Sequence, residues 1–124
     1  VYSLQKGLHE ADIKENGCSA LVIEMGSRLN DFADTTALIQ QLDLVITVDT
    51  AVAHLAGAMG KPVWVVLPFA ADWRWMVETS ESPWYPSMRL FRQRKPGNWK
   101  QVFIDIREAL HKDLNLSELK PISL

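Results

Sequence analysis

The sequence predicts an α/β domain built on a mainly parallel sheet, and three observations carry that prediction. Apolar, β-branched runs recur at Leu44–Val48 and Val63–Leu67, each long enough for a buried strand. Between them, Ala51–Met59 is rich in helix formers and bounded by turn chemistry. Elsewhere, short strand-like runs alternate with helical segments, the order expected of strand–helix–strand units.

Element by element, Val1–Leu4 reads as a first strand, ended by Gln5-Lys-Gly7. His9–Glu15 reads as a short helix, broken by Asn16-Gly17. Ala20–Glu24 is the second strand, followed by a turn at Gly26. Asp31–Asp34 leads into a helix over Thr35–Leu42, with Thr35 or Asp34 as its cap. After Leu44–Val48, Asp49 and Thr50 stand where a helix begins; Gly60 closes that helix and Pro62 prevents its continuation. Phe69–Pro86 has no clear period and holds Trp73, Trp75, Trp84 and Tyr85, and so long an irregular stretch points to function. Arg89–Gln93 is a short strand, Arg94–Asn98 a polar turn and Trp99–Leu110 a helix. The organisation expected is one domain over residues 1–113 and a tail over 114–124. Because Val1-Tyr-Ser-Leu4 looks like a strand already under way, the chain is expected to be a piece of a longer protein.

At 124 residues with 48% hydrophobic and 23% charged residues, the chain is long enough for one real core. A net charge of −2 gives no general basic field for nucleic acid or an anionic membrane. Cys18 is the single cysteine, which excludes an intrachain disulfide and a cysteine metal cluster, and a cytoplasmic setting is the expectation. No apolar run reaches the roughly 18 residues of a membrane helix. His9, His54 and His111 are scattered, so no metal is expected. There is no GxGxxG, Walker or G-x-S-x-G motif.

The chemistry concentrates at the carboxyl end of the strand Leu44–Val48, the edge where open parallel sheets bind ligands. There the amides of Thr50, Ala51 and Val52 open a helix, and free N–H groups with the positive end of a dipole suit a phosphate. The same Asp49-Thr50 pair also reads as an ordinary helix cap, with Thr50 Oγ as the capping group. His54 lies four residues after Thr50 on the same face, either as a packed helical histidine or as a group behind the phosphate. Gln5-Lys6-Gly7 follows the first strand, so Lys6 is a diphosphate partner or a solvated turn lysine. Glu24 ends the second strand and is a ribose acceptor or a surface carboxylate; Asp34 reads as a cap. Trp73, Arg74, Trp75 and Trp84 offer stacking faces and a phosphate partner, or simply a self-packed loop. Arg89, Arg92, Arg94, Lys95 and Lys100 form a basic cluster, read as a solvated rim against an acidic partner domain rather than a nucleic-acid site.

These motifs resemble a known family. Ser3-Leu-Gln-Lys-Gly7, Asp31-Phe-Ala-Asp-Thr35, the run Asp43–Pro68, Trp73-Arg-Trp75, Ser82-Pro-Trp-Tyr-Pro86 and Arg89-Leu-Phe-Arg-Gln93 are similar to the carboxyl-terminal half of a GT-B glycosyltransferase. The likeness is greatest to the heptosyltransferase-type domain fused to tetratricopeptide repeats in bacterial proteins, related in turn to O-GlcNAc transferases. It covers nearly all of the chain except about the last dozen residues. The resemblance implies a three-layer, Rossmann-like domain that holds a nucleotide-diphosphate sugar, without a metal. Asp49, Thr50, Ala51 and His54 match the family's donor-phosphate and sugar motif, Lys6 its basic residue after the first strand, and Glu24 a ribose-binding acid. His54 is then the one candidate catalytic group in this half, because the acceptor side and its base belong to the amino-terminal half of such enzymes. One departure stands out: Ala51 replaces the glycine usual after the Asp-Ser/Thr pair, which leaves less room and argues against heptose itself as the donor sugar. The implied function is the donor-binding half of an inverting sugar-transfer enzyme that does not turn over alone; the alternative is a scaffold module that keeps the fold. Without its partner half such a piece exposes an apolar face on which two copies can pair.

Overall fold

A computed structural model describes residues 1–6, 12–17, 19–71, 75–76, 79–82 and 84–113, with nothing described of the Ile13 side chain. They fall into two compact units, Val1–Leu42 and Asp43–Leu124.

In the first unit, β1 (Tyr2–Ser3) and β2 (Ile23–Glu24) pair in parallel, with Tyr2 opposite Ile23. Both are shorter than their apolar runs, and Ile23 is exposed. The helix α1 (Asp12–Glu15) ends where Gly17 takes a positive φ of 70°, as Asn16-Gly17 leads one to expect. The first residues of the expected His9–Glu15 helix, Gly7 and Cys18 lie outside the described residues. A single turn of 3-10 helix covers Gly26–Arg28. The next helix, α2 (Phe32–Gln41), begins three residues earlier than expected. Its cap is Asp31, whose carboxylate accepts from the Asp34 amide at 2.9 Å. Asp34 in turn accepts from the Asn30 amide at 3.0 Å, so the two aspartates satisfy amides on both sides of the helix start. Thr35 therefore sits inside the helix, its hydroxyl donating back to the Asp31 carbonyl.

The second unit holds a three-stranded, all-parallel sheet in the order β3 (Val45–Val48), β4 (Val63–Leu67), β5 (Met88–Arg92). Register places Val45 opposite Val63 and Val63 opposite Met88. All five residues of β4 are buried, as a central strand covered on both faces requires. Alternation sends Trp64 and Val66 to one face, where Phe91 joins them against Val102, Ile106 and Ala109 of α4 (Trp99–Asp113). On the other face lies α3 (Ala51–Ala58), whose Gly57 approaches the side chain of Met88. Helix, sheet and helix thus form the three layers expected of a Rossmann-like domain. The strand β3 departs from expectation: Val45 is buried, but Ile46 and Val48 are 43% and 53% exposed, because β3 closes one edge of the described sheet.

Candidate functional site

The connection from β3 into α3 and on to β4 aims the site. Gly60 has φ +70°, Gly60 N–H bonds to the Gly57 carbonyl at 3.0 Å, and Lys61 N–H reaches the Ala56 carbonyl at 3.0 Å. This is a Schellman closure, and it ends α3 as the glycine predicts. At the other end Thr50 is the N-cap residue, in extended conformation with φ −142° and ψ 170°. Its side chain does not cap the helix; Oγ1 instead lies 3.2 Å from Oγ1 of Thr47, at the end of β3. The cap role expected of Thr50 Oγ is thus replaced by a hydroxyl pair that ties the turn to its strand. The first described amide of the turn to bond back to the Thr50 carbonyl is that of Ala53, at 3.0 Å. Ala51 and Val52 precede it, and helix geometry gives their N–H groups no intrahelical acceptor.

Behind this turn three side chains form a bonded cluster. Trp75 Nε1 donates to Asp49 Oδ2 at 3.0 Å, and His54 Nε2 lies 3.4 Å from Asp49 Oδ1. His54 and Trp75 stack with ring centroids 5.5 Å apart, and Tyr85 meets His54 edge-on at 5.9 Å. One carboxylate therefore orients both an imidazole and an indole, and the aromatic contacts hold the imidazole plane. His54, Trp75, Trp84 and Tyr85 line a pocket of about 340 Å³. Trp75 is its buried floor at 1% exposure, and Trp84 its outer wall at 58%.

Three further residues hold the wall in place. Arg92, at the end of β5, donates from Nε to the Thr79 carbonyl at 3.3 Å and from Nη2 to the Trp75 carbonyl. Desolvation by burial lowers the pKa of Arg92, and two carbonyl acceptors offset that cost. Trp75 is followed by Met76 at φ +56°, a left-handed conformation unusual for methionine, so the guanidinium braces a strained turn. Next to it Gln93, 6% exposed, accepts from the Phe69 amide through Oε1 at 3.0 Å, while its buried Nε2 has no partner among the described residues. Ser82 Oγ accepts from the amides of Trp84 and Tyr85 at 3.1 and 3.3 Å, which fixes the backbone that carries both rings.

Of the expected site residues, Asp49, Thr50, Ala51, Val52 and His54 lie together at the start of α3. Trp84 joins them at the pocket. Gln5, Lys6 and Glu24 belong to the first unit, where Lys6 Nζ donates to the Leu29 carbonyl and the Gln5 amide donates to Ser3 Oγ at 3.2 Å. Trp73 and Arg74 lie outside the described residues. Of the stacking faces that the sequence offered, Trp75 is the one whose indole Asp49 holds. Sequence reasoning gave Tyr85 and Arg92 no separate role, and Arg92 was hidden by the basic cluster around it. That cluster divides on inspection: Arg89 pairs with Asp113 at 2.8 Å and lies over the Trp64 and Phe91 rings, and Arg94 pairs with Asp105 at 3.1 Å. Acids of α4 in the same chain meet these arginines. A larger cleft of about 510 Å³ lies beside them, lined by both signs of charge and away from the start of α3.

Residues 6–67 match the family Glycosyltransferase family 9 (heptosyltransferase). The chain belongs to glycosyltransferase family 9. The matched span runs from Lys6 to the end of β4 and so contains Asp49, Thr50, Ala51 and His54, while Trp75, Trp84 and Tyr85 follow it. The family-9 chain is also 38% identical over 80 residues to Protein FlbA of Caulobacter vibrioides, an alignment that covers 64% of this chain and 13% of FlbA. No solved structure matches it. Among the described residues no helix is long and apolar enough to cross a membrane, and no group of three His, Cys, Asp or Glu side chains is placed to hold a metal ion.

Proposed function

We propose that this family-9 chain is the donor-binding half of an inverting glycosyltransferase and that a nucleotide-diphosphate sugar docks at the start of α3. The observation that carries the reading is the Asp49–His54–Trp75 cluster, bonded and stacked at the first turn of a helix that leaves the carboxyl end of a parallel strand. Amides of Thr50, Ala51 and Val52 receive the diphosphate, and the helix dipole offsets charge on it as the glycosidic bond breaks. His54, held by Asp49, supports the leaving phosphate or the sugar from the next turn. The acceptor and its general base are supplied by another half-domain, so the chain binds donor without turning over. Association with tetratricopeptide repeats, kinship to O-GlcNAc transferases, pairing of two copies and a cytoplasmic setting belong to the same reading.

The test is a titration with UDP, GDP, ADP and CDP followed through amide chemical shifts. Saturable shifts at Thr50, Ala51 and His54 with one nucleotide establish the site and name its base. No shift with any of the four removes the donor role and leaves the scaffold alternative. Gln5, Lys6 and Glu24 are tested apart from that core. Lys6→Ala is expected to weaken nucleotide binding without unfolding the domain, and unchanged affinity removes Lys6 from the site.

A further inference from the structure

We infer that residues 114–124, which lie outside the described residues, cover an apolar strip between α4 and β3. Register fixes the face on which that strip lies. Ile46 stands opposite Trp64 and Val48 opposite Val66, so all four point to the side of the sheet on which α4 packs. The helix covers Trp64 and Val66 but stops short of β3, where Ile46 and Val48 stay exposed. The flank of α4 that looks toward β3 is apolar as well. Asp105, Glu108 and Lys112 line the cleft beside β5, while Leu110 packs at the other margin of the core with Leu44, which leads into β3. At 3.6 residues per turn, Trp99 and Phe103 fall within about 40° of Leu110 around the helix. They are 37% and 59% exposed. Ile46, Val48, Trp99 and Phe103 thus form one open apolar patch, of the kind that a further piece of polypeptide covers.

The tail fits that patch by position, reach and composition. Arg89, in β5, pairs with Asp113 at 2.8 Å, so α4 ends near the edge of the sheet at which the parallel strands begin. Leu44 and Val45 enter β3 at that same edge. Crossing two strand spacings and then following β3 from Leu44 to Val48 takes about 23 Å of chain. Eleven extended residues span up to about 36 Å, so the tail reaches the far end of the strip. Leu114, Leu116, Leu119, Ile122 and Leu124 are apolar, enough to set one side chain against each exposed member of the patch. A tail seated there takes this face away from a second copy. The inference stands independently of whether a nucleotide binds at the start of α3.

The experiment attaches a nitroxide spin label at Ser123→Cys in a Cys18→Ser background and reads paramagnetic loss of amide signals along the whole chain. Loss is expected at Ile46, Val48, Trp99 and Phe103, with signals retained at Arg94 and Glu108 on the far side of α4. The pattern is expected to persist on dilution and to vanish when labelled chain without isotope is mixed with enriched, unlabelled chain. Loss in the mixed sample would show that the tail of a second copy occupies the strip, and would overturn the inference. Retained signals at all four residues, or loss spread evenly over the chain, would overturn it too. Phe103→Glu adds a second reading, because an exposed side chain can be exchanged without opening the core. That variant is expected to recover the Ile46 and Val48 signals while the rest of the spectrum stays folded. Unchanged loss there would show that the tail rests on something other than this patch.

Discussion

Asp49 serves both Trp75 and His54, and that sets the cost of losing it. Asp49→Ala leaves the Trp75 indole N–H buried without its acceptor, a defect of about 1–3 kcal/mol. Urea denaturation should report that loss, together with a changed indole N–H signal for Trp75; an unchanged midpoint would show that another group holds Trp75. Ala51 offers a cleaner probe of the diphosphate cradle. Proline is tolerated at the first position of a helix, and Thr50 before it is already extended, as a residue preceding proline prefers. Ala51→Pro is therefore expected to leave stability within about 0.5 kcal/mol while removing one amide from the cradle. Nucleotide affinity should fall about tenfold, and retained affinity would place the phosphate elsewhere. Arg92 acts through the turn it braces. Arg92→Leu strands the Thr79 and Trp75 carbonyls and is expected to cost about 2–3 kcal/mol, whereas Arg92→Lys recovers part of it.

At the scale of elements, α3 is shaped as much by what packs on it as by its own propensity. A Cβ at Gly57 would sit 2.7 Å from Cγ of the Tyr85 ring, so the absence of a side chain is what lets Tyr85 approach the helix and form a pocket wall. Gly57→Ala gains about 1 kcal/mol of helix propensity and loses about 1–3 kcal/mol to overpacking. The expected net effect is destabilisation with shifted Tyr85 and His54 ring resonances; a stabilised variant with unmoved rings would mean that the loop yields freely. Sequence reasoning found α3 and its Gly60 stop, because those signals are local. It started α2 at Thr35 because Asp34 and Thr35 both look like caps, and only the fitted turn shows Asp31 and Asp34 dividing that work.

At the scale of the whole molecule, the two units are held differently. β4 is buried along its length between helices, while β1 and β2 are two residues each and partly exposed. Hydrogen exchange should find the slowest amides in β4 and its partners, and faster exchange across Val1–Leu42. Comparable protection in both units would contradict this ranking. The sequence by itself determined the α/β class, the strand–helix–strand unit around Asp49 and the order of the elements, because periodicity, caps and turn residues act over a few positions of chain. Only the tertiary structure decided that Trp75 rather than its neighbours faces Asp49, that Tyr85 rests on Gly57, and that Arg92 braces the loop while Arg89 and Arg94 face α4. Those contacts join residues some 11–28 positions apart in the chain, and no local signal encodes which of several aromatic or basic side chains will close them.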